Sequence, residues 1–459
     1  MAQNTQNTNE NKMGVMPVGR LLLTMSAPMV ASMLFQALYN IVDSVFVARL
    51  GQDALNAVSL AFPVQMLMIA FAGGTGVGMS ALLSMSLGAG NRKRADQTAN
   101  TGIFLFLCTV VVFMLLGFAA RFYYTVQTTN EEIVRYGTSY IRICLFCCLA
   151  LFSQMCGERL LQSTGRTDLA MIPQLVGAVL NMVLDPIMIF GLLGFPRLEV
   201  AGAAVATVCG QVVAACIGIF LNLRKNTEIR FDVHLIRFDA SIAREIYRVG
   251  VPSIVMQSIG SVMNFSLNHI LIGFTEAATA VFGAYYKIQS FVFMPVFGMN
   301  NAVVPILSYN FGADKMDRVK KAVKLSMLAA VGIMTVGCIL FETIPGVLLG
   351  IFSPTEEMIA VGVKAFRIIG IHYPIAGFCI VAGSVCQALR KPLYSMIVSI
   401  CRQLVVLLPV AYLLSLSGNL DLVWFAFPIA ESISLVMNIF FLRSAFRSAN
   451  AARGQLKAE

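Results

Sequence analysis

Apolar residues along this chain gather into long runs, separated by short polar breaks that carry most of the charge. A helix needs about 20 apolar residues to cross a bilayer. Twelve runs reach that length, roughly 18–44, 55–87, 98–121, 137–161, 169–192, 201–222, 246–272, 278–308, 322–344, 360–387, 394–416 and 422–442. Barrel strands would be short and alternating. The pattern therefore predicts an all-α integral membrane protein of 12 transmembrane helices. The first residues are polar as far as Asn11, with no basic stretch followed by a short apolar core and a cleavage site. No signal peptide is expected.

Composition sharpens this. Of 459 residues, 58% are hydrophobic and 12% charged, about half the roughly 25% of a soluble domain. Too few charges are present to cover a water-facing surface, which sets aside an ordinary soluble enzyme, a nucleic-acid binder and a disordered chain. The net charge of +10 sits in the breaks. Those after even-numbered runs hold Arg92, Lys93 and Arg94; Arg166; Arg224, Lys225, Arg230 and Arg237; Lys315, Arg318, Lys320 and Lys321; Arg390 and Lys391. The C-terminal stretch adds Arg443, Arg447, Arg453 and Lys457. The odd breaks carry acids such as Asp53, Glu131, Glu132, Glu199, Glu276, Glu356, Glu357 and Asp421. By the positive-inside rule both termini are expected in the cytoplasm. Eleven cysteines lie mostly in apolar runs. Cys144, Cys147 and Cys148 have no second cluster to complete a metal set and read as packing residues.

The chain repeats itself. Pro28 and Pro252 each open a run, 224 residues apart, and the same offset relates Asn40 to Asn264, Ser84 to Ser308 and Gly88-Ala89 to Gly312-Ala313. At 225, Tyr140-Ile141-Arg142-Ile143 meets Ala365-Phe366-Arg367-Ile368, and Gln162 meets Gln387. Six spans followed by six of the same orientation make a parallel repeat. The expected organisation is a polar tail over 1–17, a first lobe over 18–223, a cytoplasmic linker over 224–244, a second lobe over 245–443 and a cytoplasmic tail over 444–459. Two pseudo-symmetric six-helix lobes around a central cleft, without a large soluble domain, point to a transporter that rocks between two openings. Gly73, Gly74, Gly76 and Gly78 crowd the second span and serve either close packing or hinging.

Carboxylates inside a membrane are costly, so each is a functional candidate. Gln36, Asn40 and Asp43 fall on one face of the first span, with Tyr39 beside them. Asn181 and Asp185 form an i, i+4 pair in the fifth span, before Pro186, and Thr207 and Gln211 another in the sixth. These oxygens suit a small hard cation such as Na⁺, or a proton shared by two carboxylates whose burial and repulsion favour protonation. Asp43 and Asp185, with Asn181 and Thr207, are thus the expected cation site, supported by Gln36, Tyr39, Asn40 and Gln211. At the repeat offset Leu267 stands where Asp43 does, while Leu404 and Leu408 stand opposite Asn181 and Asp185. The expected site belongs to the first lobe alone.

Lys287 in the eighth span is either a gating or coupling charge or a lysine snorkelling to an interface. Glu158, Arg159 and Arg166 are expected to form an ion-pair network at the inner surface. Glu342 and Glu431 lie near span ends, where solvation is expected. His234, His269 and His372 are isolated and read as non-catalytic. Among the 25 Met and 32 Phe, some are expected to line the cleft, where adaptable apolar groups favour loose recognition of hydrophobic ligands.

Asn40-Ile41-Val42-Asp43, Gly88-Ala89-Gly90-Asn91, Asn181-Met182-Val183-Leu184-Asp185-Pro186, Gly202-Ala203-Ala204-Val205-Ala206-Thr207 and Met294-Pro295-Val296-Phe297-Gly298 resemble the MATE (multidrug and toxic compound extrusion) family over nearly the whole chain. The resemblance implies a cation-coupled efflux antiporter of the cytoplasmic (inner) membrane, monomeric and without cofactor, that exports amphipathic organic cations against H⁺ or Na⁺. Its DinF-like branch places coupling on acids of the first lobe, here Asp43 and Asp185 with Asn181 and Thr207. A NorM-like branch carries acids in helices 7 and 10, which this sequence lacks. The alternatives are a lipid-linked oligosaccharide flippase, which needs a more cationic cavity than Lys287, Arg142, Arg367 and Arg402 promise, and a membrane-embedded enzyme, for which no nucleophile, base or metal set is evident.

Overall fold

The computed structural model describes residues 11–230, 238–352 and 354–456. The polar residues 1–10, Arg237, His234 and Lys457 lie outside the described residues. Helices dominate because a backbone in lipid must satisfy its own hydrogen bonds, and no strand occurs among the described residues. A short helix α1 (Lys12–Val15) precedes α2 (Val18–Ala48), α3 (Gln52–Gly88), α4 (Arg92–Leu116), α5 (Ala120–Gln127), α6 (Glu131–Phe146), α7 (Cys148–Ser163), α8 (Thr167–Phe190) and α9 (Val200–Lys225). The second lobe follows with α10 (Ala240–Ile272), α11 (Glu276–Gly312), α12 (Met316–Thr343), α13 (Pro345–Gly350), α14 (Glu356–Gly370), α15 (Tyr373–Ala388), α16 (Pro392–Ile400), a π-helical turn Cys401–Leu407, α17 (Leu408–Ser415), α18 (Leu420–Val423) and α19 (Ala426–Leu456).

Among the described residues, nine helical stretches are long and apolar enough to cross a bilayer, and two bent pairs, α6–α7 and α14–α15, raise the number to 11. The remaining long helix, α10, has 33 residues. Its apolar run is diluted by Ser253, Gln257, Ser258, Ser261 and Asn264, and it completes the twelve.

The repeat is visible in the helix bounds. Gln52–Gly88 and Glu276–Gly312 are each 37 residues long and share the 224-residue offset. Thr167–Phe190 and Pro392–Ser415 each span 24 residues. The bends match too, at 47° after Phe146 and 48° after Gly370. Left-handed turns fall at Gly90 and Asp314, and again at Gly165 and Arg390. Each pair keeps its register, although only glycine adopts that conformation without cost. The turn geometry is thus retained where the side chain is not.

The lobes meet by exchange. Met13, Leu21, Met25 and Met29, from α1 and the first half of α2, are buried in the core of the second lobe. Ile242 and Ile246, from the start of α10, are buried in that of the first. Glycines permit the crossings, because a side chain on Gly74 or Gly78 would run into α10 and one on Gly298 into α2. Where α3 and α11 cross, a Cβ on Gly88 would overlap the Tyr309 carbonyl and one on Gly312 the Met85 carbonyl. Packing thus explains Gly73, Gly74 and Gly78, which meet Gln257, Ile254 and Ile246, while Gly76 lies under the Arg159 side chain. The Gly88–Gly312 crossing lies at the face that bears the N-terminal segment, and there the lobes close against each other.

Candidate functional site

Three helices of the first lobe build the polar site. α8 carries Asn181 and Asp185 one turn apart, both buried, with Asp185 wholly inaccessible. With its amide turned to satisfy both neighbours, Asn181 donates to Asp185 Oδ2 at 3.3 Å, and its oxygen accepts from the Thr207 N–H and hydroxyl of α9, each at 3.1 Å. From α2, Asp43 reaches the same region, near enough to Asp185 for the carboxylates to repel. Asp43 Oδ1 is buried and has no hydrogen-bond partner. Among the described residues neither aspartate is ion-paired, and a buried carboxylate without a partner is strongly disfavoured.

The supporting residues divide. Gln36 Oε1 accepts from Gln174 Nε2 of α8 at 3.0 Å, and Tyr39 makes side-chain contact with Gln36. This ties α2 to α8 one to two turns from Asp43. Gln174 was not singled out from sequence, although it lies seven residues, two helical turns, before Asn181 on the same face. Asn40 is exposed and Gln211 half-buried, so the structure gathers Gln36 and Tyr39 but leaves Asn40 exposed. Lys287 is exposed and sits over the Phe352 ring at 5.9 Å, in the second lobe and away from the acids.

Several expectations need correcting. Glu158, Arg159 and Arg166 do not form one ion-pair network. Glu158 is buried and accepts from Gln154 Nε2 at 2.9 Å. Arg159 crosses the lobe boundary to Asn301 Oδ1 of α11 at 3.1 Å, and Arg166 approaches Asp168 at 3.9 Å. Glu431 is not solvated at a helix end: it is 3% exposed and pairs with Arg402. Leu267 is fully buried in the second lobe's apolar core, so the repeat position of Asp43 is solid packing. Arg142 and Arg367 are exposed, Arg367 donates to the Glu342 carbonyl at 3.2 Å, and Arg402 is engaged by Glu431. With Lys287 over Phe352, these cations do not converge on one pyrophosphate-sized site. Cys144 and Cys148 are buried and Cys147 exposed, as separate packing groups.

On the closed face, charge and backbone contacts span the lobes. Asn11 Nδ2 donates to the Thr164 carbonyl at 2.9 Å and to Glu228 Oε1 at 3.2 Å, holding the first lobe. Asn310 Nδ2 donates to the Met13 carbonyl at 2.9 Å, Lys315 Nζ to the Gly14 carbonyl at 3.0 Å and Arg318 Nη2 to the Met16 carbonyl at 2.6 Å, holding the second. Burial, chiefly, also lowers the pKa of Lys12, which lies 3.8 Å from Asp168.

The MatE family model matches residues 28–187 and 252–413, one segment in each lobe. A FAD transporter of Shewanella oneidensis is 27% identical over 419 residues, covering 90% of this chain and 92% of its own. The multidrug export protein MepA of Staphylococcus saprophyticus is 27% identical over 429 residues, covering 92% and 93%. Among solved structures, a MOP superfamily transporter from Pyrococcus furiosus, described as having a binding pocket of reversed polarity, superposes with a TM-score of 0.91 at 25% identity, covering 97% of this chain and all of that one. An outward-facing multidrug resistance MATE transporter gives the same TM-score, identity and coverage.

Proposed function

This chain belongs to the MatE family and is a multi-pass membrane transporter rather than an enzyme; from that premise we propose that it is a cation-coupled multidrug exporter of the DinF-like kind. The single observation that carries the coupling is the buried, unpartnered Asp43 Oδ1 beside Asp185. In this reading a proton or Na⁺ binds at that oxygen. Protonation removes the charge, and Na⁺ balances it with oxygens of Asp43, Asp185, Asn181 and Thr207; either relieves the cost of the buried carboxylates. The transporter has no cofactor in this reading, and a monomer contains the whole site.

Export then needs differential affinity, since an ion shifts a conformational equilibrium only by binding one state better than the other. The closed face, with its cationic loops, is assigned to the cytoplasm of the inner membrane by the positive-inside rule, so in this reading the present form is closed on the cytoplasmic side. Both termini are cytoplasmic in this reading, with lobes over 18–223 and 245–443 joined by the 224–244 linker. Ion entry from outside loosens the state that releases drug; ion loss to the cytoplasm restores the state that binds it. Exposed apolar groups on the outer halves of α2 and α10, among them Phe35, Leu38, Ile41, Val262 and Phe265, offer adaptable surface for amphipathic organic cations. The multidrug export name of MepA supports drugs as substrates.

A second reading, export of an anionic dinucleotide, is favoured by the Shewanella FAD transporter. Efflux from proteoliposomes, driven separately by a Na⁺ gradient and a pH gradient, with a cationic dye and with FAD, tests both. Cationic dye moving under at least one gradient is the expected result. FAD movement alone overturns the substrate assignment, and equal efflux without either gradient overturns coupling.

A further inference from the structure

The second lobe holds a buried acid of its own, and it is already paired. Glu431 lies in α19 and Arg402 in the π-helical turn, the twelfth and eleventh spans. These are the repeat partners of α9 and α8, which carry Thr207 and Asn181. Arg402 Nη1 sits 3.2 Å from Glu431 Oε2 and 3.5 Å from Oε1, so one nitrogen bridges both carboxylate oxygens. The carboxylate is 5% exposed at its side chain. The groups facing it from the packed helices are Cys379 of α15, Tyr285 of α11 and His372 at the α14–α15 bend, with Asn438 of α19 on the Cys379 side. Arg402 is therefore the one permanent cation among them, because a guanidinium does not deprotonate in proteins.

The lobes differ in one respect that matters for ions. Asp43 Oδ1 in the first lobe accepts no hydrogen bond and Asp43 has no basic partner among the described residues, whereas Glu431 in the second is satisfied by Arg402. A π turn places its residues off the α-helical register, and that turn carries Arg402 to the acid. Two helices of the second lobe thus hold a carboxylate in a setting like the first lobe's, with the ion's place taken by a side chain.

We propose that Arg402 is a tethered counter-cation occupying a latent cation site built on Glu431, and that it confines ion coupling to the first lobe. The assignment rests on the first-lobe reading above, because it explains why only one lobe needs an exchangeable ion. The guanidinium cannot leave, so Glu431 stays charged and balanced through the cycle and takes no part in the gradient. Removing the guanidinium leaves a buried carboxylate that must acquire a proton or an alkali cation.

The test uses purified full-length transporter and reads ²²Na⁺ binding together with proton uptake from a weakly buffered solution. The starting variant is Asp43→Asn with Asp185→Asn, for which ion binding and uptake should fall at least tenfold below the unmodified protein. If they do not fall, the first-lobe reading fails, whatever Arg402 does. Adding Arg402→Gln should restore about one ion per transporter, proton or Na⁺. Adding Glu431→Gln as well should abolish the restored binding, and Arg402→Lys, which keeps a tethered charge, should not restore it. Removing one partner of a buried pair is destabilising while neutralising both is often tolerated. The Arg402→Gln, Glu431→Gln protein therefore serves as the folding reference, and monodisperse elution with drug binding identifies folded samples. No ion gained by folded Arg402→Gln, or a gain that survives Glu431→Gln, overturns the proposal. If the single Arg402→Gln change does not fold, the same test is made with Arg402→Met, and absence of binding there overturns it equally.

Discussion

Arg94, at the start of α4 in the first lobe, donates to Glu245 of α10 in the second at 2.6 Å. Arg390 meets the other oxygen of Glu245 at 2.5 Å, so one carboxylate holds a cation from each lobe across the closed face. Glu245 is 26% and Arg94 42% exposed at the side chain, which limits each pair to the upper part of the surface range, about 1 kcal/mol. Glu245→Ala should therefore shift the balance from the closed toward the open form of this face by roughly fivefold, since 1.4 kcal/mol is tenfold. Distance distributions between spin labels on α4 and α10 read this directly. Raising salt should mimic the variant in part, because the pairs are partly solvated.

Gly88 and Gly312 make the tightest crossing between lobes, each against the other helix's backbone. Gly88→Ala and Gly312→Ala should each prevent full closure, because a carbonyl must move rather than a flexible side chain. Overpacking of this kind costs about 1–3 kcal/mol, enough to lower efflux by roughly tenfold while the protein still inserts. Gly283 in the same helix α11 has open space at its Cβ position. Gly283→Ala is the matched change and should leave efflux unaltered. Comparable efflux in all three variants would remove the crossing from the closing step.

The N-terminal strap is a second clasp on that face, holding the first lobe through Asn11 and the second through the Met13, Gly14 and Met16 carbonyls. Arg318→Ala removes the donor to two of those carbonyls, at 3.1 and 2.6 Å. A hydrogen bond from a charged group contributes about 1.5–3 kcal/mol. A Thr164→Cys probe, buried where Asn11 of the strap meets the Thr164 carbonyl, should label at least tenfold faster in the Arg318→Ala protein. Combined with Glu245→Ala the shifts should add, because the clasps share no residue.

Much of this was legible in the chain because the membrane enforces it. A run too short cannot span and an uncapped backbone cannot sit in lipid, so twelve spans and a 224-residue repeat followed from hydropathy and spacing. Asn181, Asp185 and Thr207 were legible because one face of a helix is fixed by its 3.6-residue period. What failed depends on which helix lies opposite. Glu431 looked like a solvated acid near a helix end, since nothing in its own segment announces Arg402 29 residues earlier. Arg159 looked like an inner-surface charge because Asn301 is in the other lobe. The 47° break at Cys147 has neither Pro nor Gly to mark it, and Asn40 shares a helix face with Asp43 yet stands exposed.

Asp43→Asn and Asp185→Asn keep volume and shape while removing a charge that is costly to bury, so each variant should fold and insert as well as the parent or better. Asp185→Asn keeps an amide oxygen where Asn181 now donates, so the α8–α9 contact survives. Neither amide can take up a proton or balance Na⁺, and the ion then no longer favours one conformation. Gradient-driven efflux should fall by at least a hundredfold in each, while equilibrium drug binding changes less than about threefold, because the drug meets the cleft and not the lobe interior. Leu267 is unsuitable as the matched change, since its burial in the core would make a polar residue destabilising by itself. Glu276, exposed at the start of α11, is the better comparison, and Glu276→Gln should pump normally. Efflux at the parent rate in both aspartate variants, under the same gradient and with equal protein in the bilayer, would show that the ion acts elsewhere.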